Sequence, residues 1–164
     1  TEANAAAEIL GASRPIVTRL PDQRFDGVDL LDIIHEIDTE EAATKAEVVY
    51  THHTGDLNLD HALTARAVLT ATRPKPGCSV KDVYCFEVPS CTEWGFNYQF
   101  KPNIFVDITA HCEIKKKAMS IYHTAMHDYP HPRSLIGLHT QASKWGMTVG
   151  IQLAEAFELV RSLR

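Results

Sequence analysis

The run Glu47-Val48-Val49-Tyr50-Thr51 constrains this chain more than any other stretch. It is short, apolar and β-branched, the composition of a strand buried in a parallel sheet. Segments with helical periodicity flank it. Upstream, Val28 to Ala43 places Leu30, Leu31, Ile34 and Ile37 on one face. Downstream, a helix from Asp60 turns Leu63, Ala67, Val68 and Ala71 inward until Arg73-Pro74 stops it. Alternation of this kind specifies an α/β fold, a three-layer sandwich with a mostly parallel sheet covered on both faces.

The rest of the chain extends the pattern. Ala3, Ala6, Ala7 and Leu10 fall at helical spacing before Gly11, a plausible helix stop. Pro15 to Leu20 reads as a short strand closed by the turn Pro21-Asp22, and Val83 to Val88 and Asn103 to Ile108 read as two more. Between those two lies Pro89 to Pro102, an ordered, aromatic-rich loop. Ile114, Ala118, Ile121, Tyr122, Ala125 and Met126 recur at three and four residues and predict a helix. A further helix runs from a Ser134 cap to about Trp145, and Ile151 to Arg164 fits helix or strand equally.

With 164 residues, 45% of them apolar, the chain suffices for one core and reads as a single domain over 1–164. Its charge of −5, from 16 Lys+Arg against 21 Asp+Glu, excludes a protein that tracks nucleic-acid phosphates. No run approaches the roughly 20 apolar residues of a membrane span, and a cytoplasmic location is expected. Cys78, Cys85, Cys91 and Cys112 lack CxxC spacing and read as reduced, mostly packing residues. The chain opens at Thr1 and its first methionine is Met119, so a preceding segment is expected.

In α/β sheets ligands gather on the loops after the strands. The loop after the first buried strand, 51–61, reads THHTGDLNLDH: three histidines, two aspartates and an asparagine in eleven positions. Imidazole and carboxylate are the ligands of a borderline cation such as zinc. His52, His53, Asp56 and His61 are therefore metal candidates. The alternative is that Asn58 or Asp60 caps the next helix and the histidines are loop residues; spacing alone leaves both open. His123 and His127 lie four apart, but Thr124 stands where HExxH needs its glutamate. No GxSxG, GxGxxG or P-loop motif occurs.

At this loop the sequence resembles the LmbE-like or PIG-L family of zinc-dependent N-acetylglucosaminyl deacetylases. The blocks LPDQRFD at 20–26, VVYTHHTGDLNLDH at 48–61, TATRP at 70–74, VYCFEVPSCTEW at 83–94, FKPNIFVDI at 100–108, YPHPRS at 129–134 and AEAFELVR at 154–161 carry the resemblance in order. It implies a Rossmann-like fold and a hydrolase that removes an N-acetyl group from a glucosamine-containing conjugate, using Zn2+ held by two histidines and an aspartate. The HPDH-type motif corresponds to NLDH at 58–61. The resemblance makes His61 the metal ligand and Asp60 a group that orients its neighbours, with Asn58 replacing the motif's histidine as a hydrogen-bond donor to an oxyanion. By position Asp22, Arg24, His131 and Arg133 are either substrate contacts or simply turn residues, while Trp94 either stacks on a sugar ring or packs in the core.

The family's AHPDDE-type motif, which supplies the other metal ligands and the general base, does not occur in the chain. Glu2 to Gly11 resembles the segment that follows it. The chain is therefore expected to correspond to the C-terminal two-thirds of the family fold, with weak or no activity of its own. An open sheet edge would favour a homo-oligomer or a re-paired sheet. The alternative is a non-catalytic α/β remnant that binds a ligand or itself.

Overall fold

A computed structural model describes residues 1–97 and 99–164; Tyr98, in the aromatic loop, lies outside the described residues. The fold is α/β, with five α-helices and one four-stranded sheet among the described residues. The chain divides into two compact units, Thr1–Val17 with Phe105–Ala156, and Thr18–Ile104 with Phe157–Arg164.

The larger unit contains the loop of interest. Helix α2 (Leu30–Thr44) and helix α3 (Leu59–Ala71) bury Ile33 and Ile34 against Ala67 and Ala71, with Leu20, Phe25, Val28, Leu30 and Ile37 closing around them. Alanines on the α3 side let the two helices approach closely. Strand β1 (Val48–His52) pairs in parallel with β2 (Asp82–Phe86), from Val48↔Asp82 to His52↔Phe86. One helix, α3, separates these strands, the right number for a parallel crossover. The Lys81 amide donates to Glu47 O at 2.8 Å and starts the ladder.

Beyond β2 the alternation breaks, and the sheet is mixed, correcting the expectation of a mostly parallel one. Among the described residues no helix separates β2 from β3 (Ile104–Asp107), and two, α4 (Cys112–Met119) and α5 (Leu135–Val149), precede β4 (Ala154–Arg161). The single-helix crossover that enforces parallel pairing operates once only. β4 runs antiparallel to β2, from Val83↔Arg161 to Phe86↔Phe157, and the sheet order is β1-β2-β4-β3. The ambiguous C-terminal segment is thus a strand. Pro15–Leu20 forms none. β-branched residues favour a strand only beside a ladder partner, and Ile16 and Val17 instead stand exposed.

In the smaller unit, helix α1 (Glu2–Leu10) ends at Gly11 in the left-handed conformation, as its sequence predicts. It packs on α4. Ile108, Cys112, Ala142 and Leu153 form the core of this unit. The predicted helix to Met126 stops early. After Met119 the Ile121 and Tyr122 amides donate three residues back, to Ala118 O and Met119 O, and the chain continues in turns. α5 starts where Ser134 Oγ accepts from Gly137 N at 2.9 Å.

Candidate metal centre

β1 delivers the loop and α3 receives it. His52 is the last residue of β1, and Asn58 caps α3 by accepting from Asp60 N at 2.9 Å. The capping role considered for this segment therefore belongs to Asn58, whose side-chain oxygen is committed to it. In the first turn of α3, Asp60 turns away from the loop and its carboxylate accepts from Phe25 N at 3.0 Å. This bond ties the helix to the turn of Arg24–Phe25. Asp22 and Arg24 are exposed on that same turn.

The remaining candidates separate sharply. His53 is buried with both ring nitrogens engaged: Nδ1 accepts from Gly55 N at 3.1 Å and Nε2 lies 3.5 Å from Glu158. Its ring stands edge-on to Phe100. In this arrangement both ring nitrogens face protein partners, the Gly55 amide and the Glu158 carboxylate. His52 stacks on His61, with ring centroids 4.2 Å apart, and leans on Phe86. Burial, aided by the charge of His61 and opposed by Asp56, pulls His52 down to about 4, so its imidazole is neutral at neutral pH.

Asp56 is the anchor. It is buried, and Oδ2 accepts from Thr92 Oγ1 at 2.8 Å while Oδ1 accepts from Asn58 N at 2.8 Å. Burial works to raise its carboxyl. The His61 ring, the Thr92 hydroxyl and the Asn58 amide outweigh burial and hold it below the usual carboxylate range. Asp56 Oδ1 lies 3.2 Å from His61 Nδ1, a buried nitrogen with no partner other than this carboxylate.

A second loop closes on the first. Cys91 O accepts from Leu57 N at 3.3 Å, and a Cβ on Gly95 would sit 2.2 Å from Gly55 O, so only glycine permits this approach. The loop thereby adds Cys91, a cysteine whose spacing suggests only packing, as a donor. Ligand atoms of Asp56, His61 and Cys91 all lie within 4.8 Å of one another. A carboxylate, an imidazole and a thiol are ligand types zinc accepts. The buried His61 nitrogen facing a carboxylate oxygen is the feature a cation would satisfy, and the residues fit one.

Trp94 is 40% exposed on this second loop. His131 and Arg133 lie in the smaller unit, where His131 Nδ1 accepts from Arg133 N at 3.0 Å and the His131 and His127 rings are 4.2 Å apart. Pro130 and Pro132 flank His131 in a tight turn, closed where Asp128 O accepts from His131 N at 3.1 Å, and Arg133 follows it. Arg133 Nε is buried without a hydrogen bond.

Residues 1–72 match the PIG-L family, described as GlcNAc-PI de-N-acetylase, in agreement with the sequence resemblance. Three solved structures share the fold. The conserved protein TT1542 from Thermus thermophilus is 17% identical with a TM-score of 0.78, covering 99% of this chain and 73% of that one. N,N'-diacetylchitobiose deacetylase from Pyrococcus horikoshii, complexed with its inhibitor MPG, is 17% identical with a TM-score of 0.77, covering 98% of this chain and 62% of that one. Dbv21, the deacetylase of antimicrobial reagent A40926 pseudoaglycone, is 18% identical with a TM-score of 0.63, covering 99% of this chain and 70% of that one. No curated protein matches the chain.

Proposed function

We propose that this PIG-L-related chain forms part of a metal-dependent hydrolase that removes the N-acetyl group from a glucosamine-containing conjugate. The observation that carries this reading is the buried His61 nitrogen, 3.2 Å from the Asp56 carboxylate and with no other partner, on the loop where the family match and the deacetylase motif coincide. His61 and Asp56 would hold the ion, with Cys91 beside them. When bound, zinc supplies polarisation of the acetyl carbonyl and activation of water.

The chain's own residues do the positioning. Thr92 and the Asn58 amide fix both oxygens of Asp56, and His52 stacks on the His61 ring, leaving it little rotational freedom. Asp60 acts through the turn it holds, placing Arg24 near the start of α3, rather than at the reacting atoms. Asp22 and Arg24 are the proposed sugar-conjugate contacts on this unit. His131 and Arg133 keep that role on the strength of the resemblance.

The AHPDDE-type motif that supplies the family's general base does not occur in these 164 residues, so slow turnover is expected of them. Acetate release from an N-acetylglucosamine conjugate tests the reading. Slow release that stops with a chelator or His61→Ala supports it; release indifferent to both overturns the metal role. Complete absence of release favours the second reading, a non-catalytic module. Exposed apolar residues at the edge strand β1, Val48 and Tyr50, favour self-association for that reading.

A further inference from the structure

We propose that Cys91 is a protein ligand of this centre, so that Asp56, His61 and Cys91 form a thiolate-bearing site for one thiophilic divalent cation of the zinc class. The inference deepens the metal reading above and rests on it, but it concerns what holds the ion rather than what the ion does.

Three features place the thiol. The 88–95 loop is bound to the 53–58 loop at several points: Leu57 N to Cys91 O, Thr92 Oγ1 to Asp56 Oδ2, and the Gly55–Gly95 backbone approach. The backbone itself, not a chance side-chain rotamer, brings Cys91 to Asp56. Ser90, immediately before it, is buried with φ 67, a conformation that non-glycine residues rarely adopt. The Glu93 carboxylate stabilises this turn by accepting from Ser90 N at 2.7 Å and Cys91 N at 3.2 Å. Such a turn aims the side chain that follows it.

Distances agree. With metal–ligand bonds of about 2.0–2.3 Å, two ligand atoms on one tetrahedral zinc lie roughly 3.3–3.8 Å apart. His61 Nδ1 and Asp56 Oδ1, at 3.2 Å, are already near that separation. The 4.8 Å bound on the full set leaves a closing movement for Cys91 on the order of 1 Å at most, which one side-chain torsion covers.

Chemistry follows from the donor set. Two imidazoles and one carboxylate leave a divalent ion with one net positive charge; one imidazole, a carboxylate and a thiolate leave it neutral. A neutral centre retains a soft cation well and polarises a carbonyl less, so the thiolate trades Lewis acidity for retention.

Cobalt(II) titration of the metal-free protein reads the ligands directly. We expect one cobalt per chain, a near-ultraviolet thiolate-to-cobalt charge-transfer band, and loss of both on adding zinc. Cys91→Ser should lose the charge-transfer band while Cys78→Ser keeps it. Cobalt bound with visible bands but no charge-transfer band overturns the thiolate while leaving His61 and Asp56 as ligands. A charge-transfer band that survives Cys91→Ser also overturns it. No cobalt bound by the unmutated chain overturns both this inference and the metal reading. Circular dichroism of each variant verifies that it is folded, and zinc protection of Cys91 from alkylation, read by mass spectrometry on the unmutated protein, gives a measure independent of any variant.

Discussion

Asp60 is the residue whose family role and observed contact differ most. Its carboxylate takes the Phe25 amide, a charge-assisted hydrogen bond between elements 35 residues apart. Asp60→Ala leaves that amide without its partner and should destabilise the protein by about 1–3 kcal/mol, read as a lower urea midpoint. Cys85 carries a different prediction. Burial, with the Glu158 charge second, pushes its thiol up to about 11 from an ordinary 9.0. Folding thus favours the neutral thiol, and this contribution is intact below about pH 9 and lost as pH rises toward 11. Melting temperature should fall across that interval, and less so in Cys85→Ala measured against its own neutral-pH value. At this scale the sequence exposed His61 and Asp56 because they lie five residues apart on one loop. Cys91 escaped notice because its partners lie 30 and 35 residues away and no spacing rule joins them. His53 read like its neighbours, and only the contacts with Gly55 and Glu158 show both of its nitrogens engaged.

Among the elements, the strand-loop-helix unit from Glu47 to Ala71 was the most legible, since β-branching, a capping residue and helical periodicity all point the same way. Asn58→Ala removes the α3 cap and should cost about 1 kcal/mol, measurable by chemical denaturation. Gly95→Ala forces a Cβ into the Gly55 carbonyl. It should separate the two loops, lowering both the urea midpoint and the affinity for zinc in equilibrium dialysis. Misread elements share one cause, because local pattern cannot report partners. Pro15–Leu20 has strand composition and no ladder, and Ile121 to Met126 has helical spacing but follows a helix that has already ended. The antiparallel direction of β4 follows from its pairing with β2, a partner that strand composition does not encode.

For the whole molecule, the chain spans 62–73% of the lengths of the three solved structures it matches. β1 is an edge of the sheet and presents Val48 and Tyr50, the latter 54% exposed, although its ring stacks on Tyr84. Edge strands with apolar side chains pair with other chains unless a charge blocks them. Sedimentation velocity should therefore show concentration-dependent association that Tyr50→Lys weakens; a monomer at all concentrations would contradict self-pairing through this edge. The proposed function places the metal centre of an N-acetyl hydrolase at His61 and its neighbours. Its most direct test is acetate release from an N-acetylglucosamine conjugate by the metal-free chain, repeated with added zinc and with His61→Ala. Release should be slow, appear with zinc and be absent in the variant; equal release in all three samples would contradict a metal role for His61.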